Sequence, residues 1–335
     1  MKITNNFNLP EELVTAVRNR EYNKGEADYS ATGLLQPPQI QVLTGWNYAN
    51  LVTDVSDSIW SLFGSAVHHI LEKAAGQDKQ QLAEERLYGV VNMAEQGEAD
   101  KFVTISGMFD RYEKSLFSID DYKVTSVWKA TKGELKDWTA QLNIYNWLFS
   151  QNYSSLPVER LRIHAILRDW SFREAKKSKE IGGDYPLSQV LTIDIPIWHL
   201  SQTLNYIEDK IYRLELAKTA KNSFELAQMF PCSVEDRWAK PDSWAVWSPS
   251  KNRTQKVFTS DESTPIDACE RDARLYAAGM SAPGYKAVLR RGESIRCDNF
   301  CLAKDFCAQY KTMTTNEVNS EVLSVEDAVK GLNNE

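Results

Sequence analysis

The stretch that decides the fold is Gly107-Met108-Phe109-Asp110-Arg111-Tyr112-Glu113-Lys114-Ser115-Leu116-Phe117-Ser118-Ile119-Asp120-Asp121-Tyr122-Lys123. An apolar run (Phe102, Val103, Ile105, Met108, Phe109) closes on Asp110, and a second ends in Ile119-Asp120-Asp121-Tyr122-Lys123. The pattern predicts two strands of one hairpin joined by a short link at 111–115. Side chains two apart on a strand share a face, so Asp121 and Lys123 stand side by side while Tyr122 turns away into packing. A carboxylate and an ammonium in one small space suit phosphodiester hydrolysis. The carboxylate holds a divalent ion, and the cation orients the attacking water or stabilises charge developing on the phosphate. Asp110 supplies a second carboxylate.

Upstream, residues 59–73 repeat apolar side chains at Ile59, Phe63, Val67, Ile70 and Leu71, the spacing of a helix with one buried face. His68 and Glu72 lie four apart on it, and an imidazole at His68 can join a metal held by Asp110 and Asp121. Such a mixed N/O shell accepts Mg²⁺ or Mn²⁺. Glu72, Glu84 and Glu85 either assist this shell or solvate a helix and a strand end, and their spacing does not decide between the two. Downstream, 135–150 is a helix candidate with Gln141 and Tyr145 on one face. They are available to a bound strand or to the metal site, or form a polar edge beside Leu142, Trp147 and Leu148.

Taken in order, these segments resemble the PD-(D/E)XK nuclease superfamily, and within it the RecB-like branch of AddB-type and CRISPR-associated exonucleases. Gly64-Ser65-Ala66-Val67-His68-His69-Ile70-Leu71-Glu72 is similar to the branch's histidine helix, which assigns the metal-ligand role to His68 and not His69. Gly107-Met108-Phe109-Asp110 is similar to its glycine-led strand ending in the first metal aspartate. Asp121-Tyr122-Lys123 matches the D-x-K element, and Gln141-Leu142-Asn143-Ile144-Tyr145 the Q-x-x-x-Y helix. More loosely, Arg168-Asp169-Trp170 and the C-terminal cysteines resemble phage-borne members of the branch. The resemblance implies an α/β, restriction-endonuclease-like core: a mixed central sheet flanked by helices. It implies Asp110, Asp121, His68 and the Tyr122 carbonyl as metal ligands, Lys123 as the catalytic lysine, and Gln141 and Tyr145 steadying the strand near the cleaved bond.

Cysteines form a second constellation. Cys297 and Cys301 are followed by Cys307, and Cys232 opens a Trp-rich stretch (Trp238, Trp244, Trp247). Four thiolates at these spacings suit a tetrahedral Zn²⁺ or a [4Fe–4S] cluster that staples a C-terminal cap. The resemblance favours iron–sulfur, because several relatives hold a cluster with a C-terminal cysteine trio and one remote cysteine. This chain departs from them: their remote ligand precedes the histidine helix, and the Cys297–Cys301 gap is one residue longer than usual. Cys269, in a helix candidate at 265–278, reads as a small packed residue.

At 335 residues, with 42% apolar content, 10 Trp and 14 Tyr, the chain can bury a sizeable core and spread over two domains. The expected organisation is an N-terminal arm at 1–35 with one short helix, a nuclease core at 36–221, a cysteine-rich cap at 222–312 and a weakly ordered acidic tail at 313–335. The core is expected to open with a helical region over 40–75, with strands at 158–170 and 190–197 and a long amphipathic helix over 198–220. A net charge of −7 argues against an extended basic footprint, yet Lys129, Lys132 and Lys136, and Arg173, Lys176, Lys177 and Lys179, are local basic runs. No apolar run approaches the ~20 residues of a membrane span, and 1–10 carries no basic segment leading into an apolar one. The expectation is a cytoplasmic, possibly phage-encoded protein with no membrane partner.

The expected function is a Mg²⁺- or Mn²⁺-dependent DNA exonuclease with a single-strand bias, acting on single strands or free ends in recombination, repair or replication. A helicase or recombination protein would be its partner. Three other classes stay open: a catalytically silent nucleic-acid-binding or assembly subunit with an iron–sulfur or zinc site, an iron–sulfur redox protein, and a phosphodiesterase acting on nucleotides.

Overall fold

In the computed structural model, which describes residues 1–19, 25–75, 81–94, 99–248, 250–261, 263–280 and 284–314, the chain starts with β1 (Lys2–Thr4), α1 (Glu11–Arg18), β2 (Tyr29–Ser30) and α2 (Ala31–Leu34). It continues through α3 (Pro38–Trp46), β3 (Val52–Asp54), α4 (Ile59–Ala75), β4 (Gln81–Asn92), β5 (Phe102–Glu113) and β6 (Ser118–Thr125). Next come α5 (Val127–Thr131), α6 (Lys136–Asn152), β7 (Arg160–Leu167), α7 (Phe172–Ile181), β8 (Val190–Ile195) and α8 (Leu200–Lys218). The remainder holds α9 (Ser223–Met229), β9 (Ser243–Ser248), β10 (Arg253–Thr259), α10 (Ile266–Ala278), β11 (Lys286–Arg290) and α11 (Ile295–Asn299). The chain divides into two units, 1–38 with 48–219, and 39–47 with 220–335.

The first unit is built on a six-stranded mixed sheet flanked by helices, as the sequence pattern predicts. β5 pairs antiparallel with β4 and with β6, β6 runs parallel to β7, β7 is antiparallel to β8, and β2 adds a short parallel pairing to β5. A parallel neighbour needs a crossover, and α5 with α6 supplies it between β6 and β7. β7 shows the two-residue period plainly: Leu161, Ile163, Ala165 and Leu167 are buried, while Arg162 and His164 alternate with them on the other side.

Helix α6 is buried from Trp138 to Phe149 apart from Thr139, the composition of a helix enclosed on all sides. Two glycines let it lie against the sheet. A Cβ at Gly107 would fall 2.6 Å from Leu148 Cδ1, and one at Gly89 would fall 2.4 Å from Trp147. The glycine that opens the Gly107–Asp110 segment is therefore a packing requirement. Phe149 is the hub of an aromatic group, 5.7 Å from Phe109, 4.5 Å from Tyr112 and 4.9 Å from Tyr153 between ring centroids. Each fully buried side chain of this size contributes roughly 1.5–3 kcal/mol relative to exposure.

The hairpin differs from its sequence reading in one respect. The link expected at 111–115 is still strand as far as Glu113, and the turn spans 114–117. The polar residue that suggests a turn, Arg111, instead pairs across the sheet with Asp120. The helical region expected over 40–75 is also interrupted. β3 pairs in parallel with β1, and Asp54 then caps a 3-10 turn reciprocally with Asp57 before α4 begins. Residues of the expected 1–35 arm contribute two strands, β1 and β2, to the first unit.

In the second unit β9 is central in an antiparallel sheet of order β10-β9-β11, with α10 packed on it. Ala245, Val246, Cys269 and Ala273 are buried there. The tail expected at 313–335 lies, from residue 315 onward, outside the described residues. Among the described residues no helix is long and apolar enough to cross a membrane.

Candidate metal centre

Three elements of the first unit converge on one cluster. His68 on α4, Glu84 on β4 and Asp110 on β5 each offer a ligand atom, and the three atoms lie within 4.8 Å of one another. Ligands of one hard divalent ion, at about 2.1–2.5 Å each, lie up to about 4–5 Å apart, so this donor set fits such an ion. His68 Nδ1 is 3.2 Å from Asp110 Oδ1 and 4.0 Å from Glu84 Oε1. Asp110 is fixed from its other oxygen, which accepts the Tyr122 backbone N–H at 2.6 Å.

Glu84 is one of the three glutamates that the sequence left undecided. It falls between the Ala83–Arg111 and Glu85–Phe109 pairs of the β4–β5 ladder and takes a left-handed φ of 51°. A glutamate at positive φ is strained by roughly 1–3 kcal/mol, and such strain concentrates at functional positions. Its neighbours are placed elsewhere. Glu85 accepts a hydrogen bond from the Tyr153 hydroxyl, and Glu72 pairs with His69 at 3.4 Å on an exposed part of α4. His68 thus lies at the cluster and His69 outside it.

Electrostatics distinguish the centre from ordinary surface carboxylates. Burial, reinforced by the charge of Asp110, pushes Glu84 up to about 7. The hydrogen bond with Asp110 raises His68 despite its partial burial. Burial also raises Asp121, with Asp110 adding to the effect and Lys123 opposing it. Lys123 Nζ lies 2.7 Å from Asp121 Oδ2, the side-by-side placement that strand parity predicts. Asp121 is only 2% exposed, and its carboxylate stands outside the 4.8 Å group.

The opposite face of β6 carries a different arrangement. Asp120 is fully buried and receives Arg111 Nε at 3.0 Å and Arg162 Nε at 2.8 Å, with His164 Nε2 3.5 Å away. Burial alone would raise this carboxyl, but the contacts with His164 and Arg162 and the charges of Arg111 and Arg162 hold it well below the usual carboxylate range. Tyr122 points to the same side and stacks on His164 at 5.4 Å, so it meets the His68–Glu84–Asp110 group through its backbone.

Gln141 and Tyr145 lie together on α6, with Gln141 Nε2 donating to the Tyr145 hydroxyl at 2.8 Å. Both are buried, and the Tyr145 ring closes over Gly107. The first lysine run is engaged within the chain: Lys129 donates to the Glu134 carbonyl, Lys132 pairs with Asp184 at 3.3 Å and Lys136 with Glu134 at 3.2 Å. Arg173, Lys176, Lys177 and Lys179 are exposed on α7.

In the second unit Cys232, Cys297, Cys301 and Cys307 line one pocket together with Gln39 and Arg237. Burial, with Asp236 next, pushes Cys232 up to about 12, and burial with the neighbouring Cys301 takes Cys297 to about 11. Gln39 Oε1 accepts the Cys232 N–H at 3.2 Å, while Gln39 Nε2 and Arg237 Nε are buried with no hydrogen-bond partner among the described residues. Two orphaned donors beside four sulfurs fit an anionic thiolate-bound group. Among the described residues, no three of these sulfurs lie within 4.8 Å of one another. A tetrahedral zinc with bonds of about 2.3 Å would need about 3.8 Å between them.

No protein-family model matches the chain, and no curated protein matches it. Among solved structures, the crystal structure of SSO0001 is similar at 16% identity and a TM-score of 0.39, covering 65% of this chain and 91% of that one.

Proposed function

We propose that this chain is a Mg²⁺- or Mn²⁺-dependent deoxyribonuclease of the PD-(D/E)XK, RecB-like type, an exonuclease that prefers single strands or free ends. The observation that carries the reading is the approach of His68, Glu84 and Asp110 to one another beside the Asp121–Lys123 pair. His68, Glu84, Asp110 and Asp121, with the Tyr122 carbonyl, would hold the ion. A bound divalent ion would supply Lewis-acid polarisation of the phosphate and an acidified water. Tyr122 N–H keeps the Asp110 carboxylate aimed into the cluster. Lys123, held by Asp121, orients the attacking water or stabilises charge on the phosphate. Gln141 and Tyr145, joined by their hydrogen bond, brace the strand near the scissile bond.

The cysteine site is read as a [4Fe–4S] site ahead of zinc, which the family resemblance favours, with two unpaired donors on residues that line the same pocket. Its role is to staple the C-terminal region. The setting in this reading is recombination, repair or replication in the cytoplasm, with a helicase or recombination protein delivering DNA.

The test is cleavage of end-labelled linear and of circular DNA, single- and double-stranded, with Mn²⁺ and with Mg²⁺, beside Asp110→Ala and Lys123→Ala. Metal-dependent loss of linear single strands in the parent alone is the expected result. Strand binding without cleavage of any substrate would replace this reading with the silent binding subunit.

A further inference from the structure

Helix α4 carries more than the metal-ligand histidine. Trp60, Gly64 and His68 follow one another at i, i+4 and i+8, so they form a single ridge about 12 Å long. Gly64 is the low point of that ridge, with nothing within 4 Å of where a Cβ would stand. Trp60 is 56% exposed at its far end, with Phe63 edge-on to it at 6.3 Å and itself exposed.

A cation is already stacked there. The Arg168 guanidinium lies 4.8 Å from the centre of the Trp60 ring, and among the described residues it has no carboxylate partner. Arg168 sits where β7 ends beside the strand of the D-x-K element, its N–H donating to the Thr125 carbonyl at 2.9 Å, two residues beyond Lys123. The next residue, Asp169, accepts the Val127 N–H at 2.7 Å and so ties the start of α5, with the exposed ring of Trp128, to the same rim. The side chains that flank the path to His68 are thus aromatic rings and a guanidinium.

We propose that Trp60, Phe63, Trp128 and Arg168 form a stacking rim for a single strand of nucleic acid, which runs along the Gly64 gap toward His68. The assignment rests on the nuclease reading for the destination of the strand. Bases offer π-faces to the indoles whatever their sequence, and the phosphates between them match the guanidinium. A duplex keeps its base faces stacked inside and cannot use the rings, so the commitment is to a single strand.

Binding is measured apart from cleavage, by fluorescence anisotropy of labelled (dT)₂₀ and of a duplex of the same length, on the full chain carrying Lys123→Ala so that no strand is consumed. Trp60→Ala and Arg168→Glu are each expected to weaken (dT)₂₀ binding by about tenfold while changing duplex binding less. Gly64→Leu fills the gap with a better helix former, and is expected to weaken strand binding while raising the melting temperature, a pairing that misfolding cannot produce. Unchanged (dT)₂₀ affinity in Trp60→Ala and Gly64→Leu overturns the rim even if the parent cuts DNA. Tighter binding of duplex than of (dT)₂₀ also overturns it. Rim-dependent strand binding in a protein whose parent form cleaves nothing supports the rim and removes the nuclease reading alone.

Discussion

Asp120 and Asp121 are neighbours in sequence and opposites in environment. Both are buried, but Asp120 faces Arg111, Arg162 and His164 and is held ionised, whereas Asp121 faces one lysine and the carboxylate of Asp110 and is raised by burial. The first is a charge whose burial is fully offset by its partners, and the second is a charge that one lysine offsets only in part. A fully paired buried charge fits a structural role, while a raised carboxyl beside His68, Glu84 and Asp110 fits the ligand role proposed for it. In the proposed reading, the two faces of one strand separate a structural network from a chemical one.

The largest effect expected from breaking this contrast is on activity. Lys123→Ala should reduce metal-dependent cleavage on the order of 10³-fold. Circular dichroism should stay near the parent's, and the melting temperature should fall less than in Asp120→Ala, because the buried Asp121 loses its cationic partner but its carboxyl, already raised by burial, can take up a proton. Asp120→Ala should do the reverse. It leaves Arg111 and Arg162 without their shared partner and should cost about 3–5 kcal/mol in denaturant unfolding. Cleavage below the unfolding transition should remain.

The same network predicts a pH dependence with a definite sign. The Asp120 carboxyl lies below its ordinary value of 3.8 in the folded chain, so its contribution is complete above that value and is lost as pH falls toward the folded one. Arg111, Arg162 and His164 face it, with Glu113 3.9 Å from Arg111. Unfolding followed between pH 5 and pH 2 should show parent stability falling more steeply than that of Asp120→Asn. Parallel curves would mean that Asp120 is not ionised by its partners. The smallest effect is at the positive-φ residue of β4. Glu84→Gly relieves a left-handed φ and should raise stability by roughly 1 kcal/mol while weakening Mn²⁺ binding, measurable by calorimetry.

Much of this was legible in the chain, and the gaps have physical causes. The two-residue period of a strand is enough to set Asp121 beside Lys123, and the helical period is enough to bring Gln141 to Tyr145. Neither period reports what lies across the sheet. Arg111 therefore reads as a turn residue, although its partner Asp120 keeps it in the strand through Glu113. Glu84 was undecidable because its place depends on a positive φ that no side chain in Leu82-Ala83-Glu84-Glu85 announces, and on a partner 26 positions away at Asp110. The grouping of Cys232 with the C-terminal trio is suggested by residue type, spacing and the family resemblance, but Gln39 cannot be seen as its neighbour, since the contact spans 193 positions. Asp120 itself could be separated from Asp121 only by parity, and its burial depends on Arg162, which arrives from the next strand.

The most direct test sets the two aspartates against each other in one experiment. Asp120→Asn and Asp121→Asn are purified alongside the parent, and each is measured for Mn²⁺-dependent cleavage of linear single-stranded DNA and for thermal melting. The account predicts that Asp121→Asn melts like the parent and cuts nothing, while Asp120→Asn melts at a lower temperature and still cuts when folded. Cleavage by Asp121→Asn at the parent's rate would contradict it.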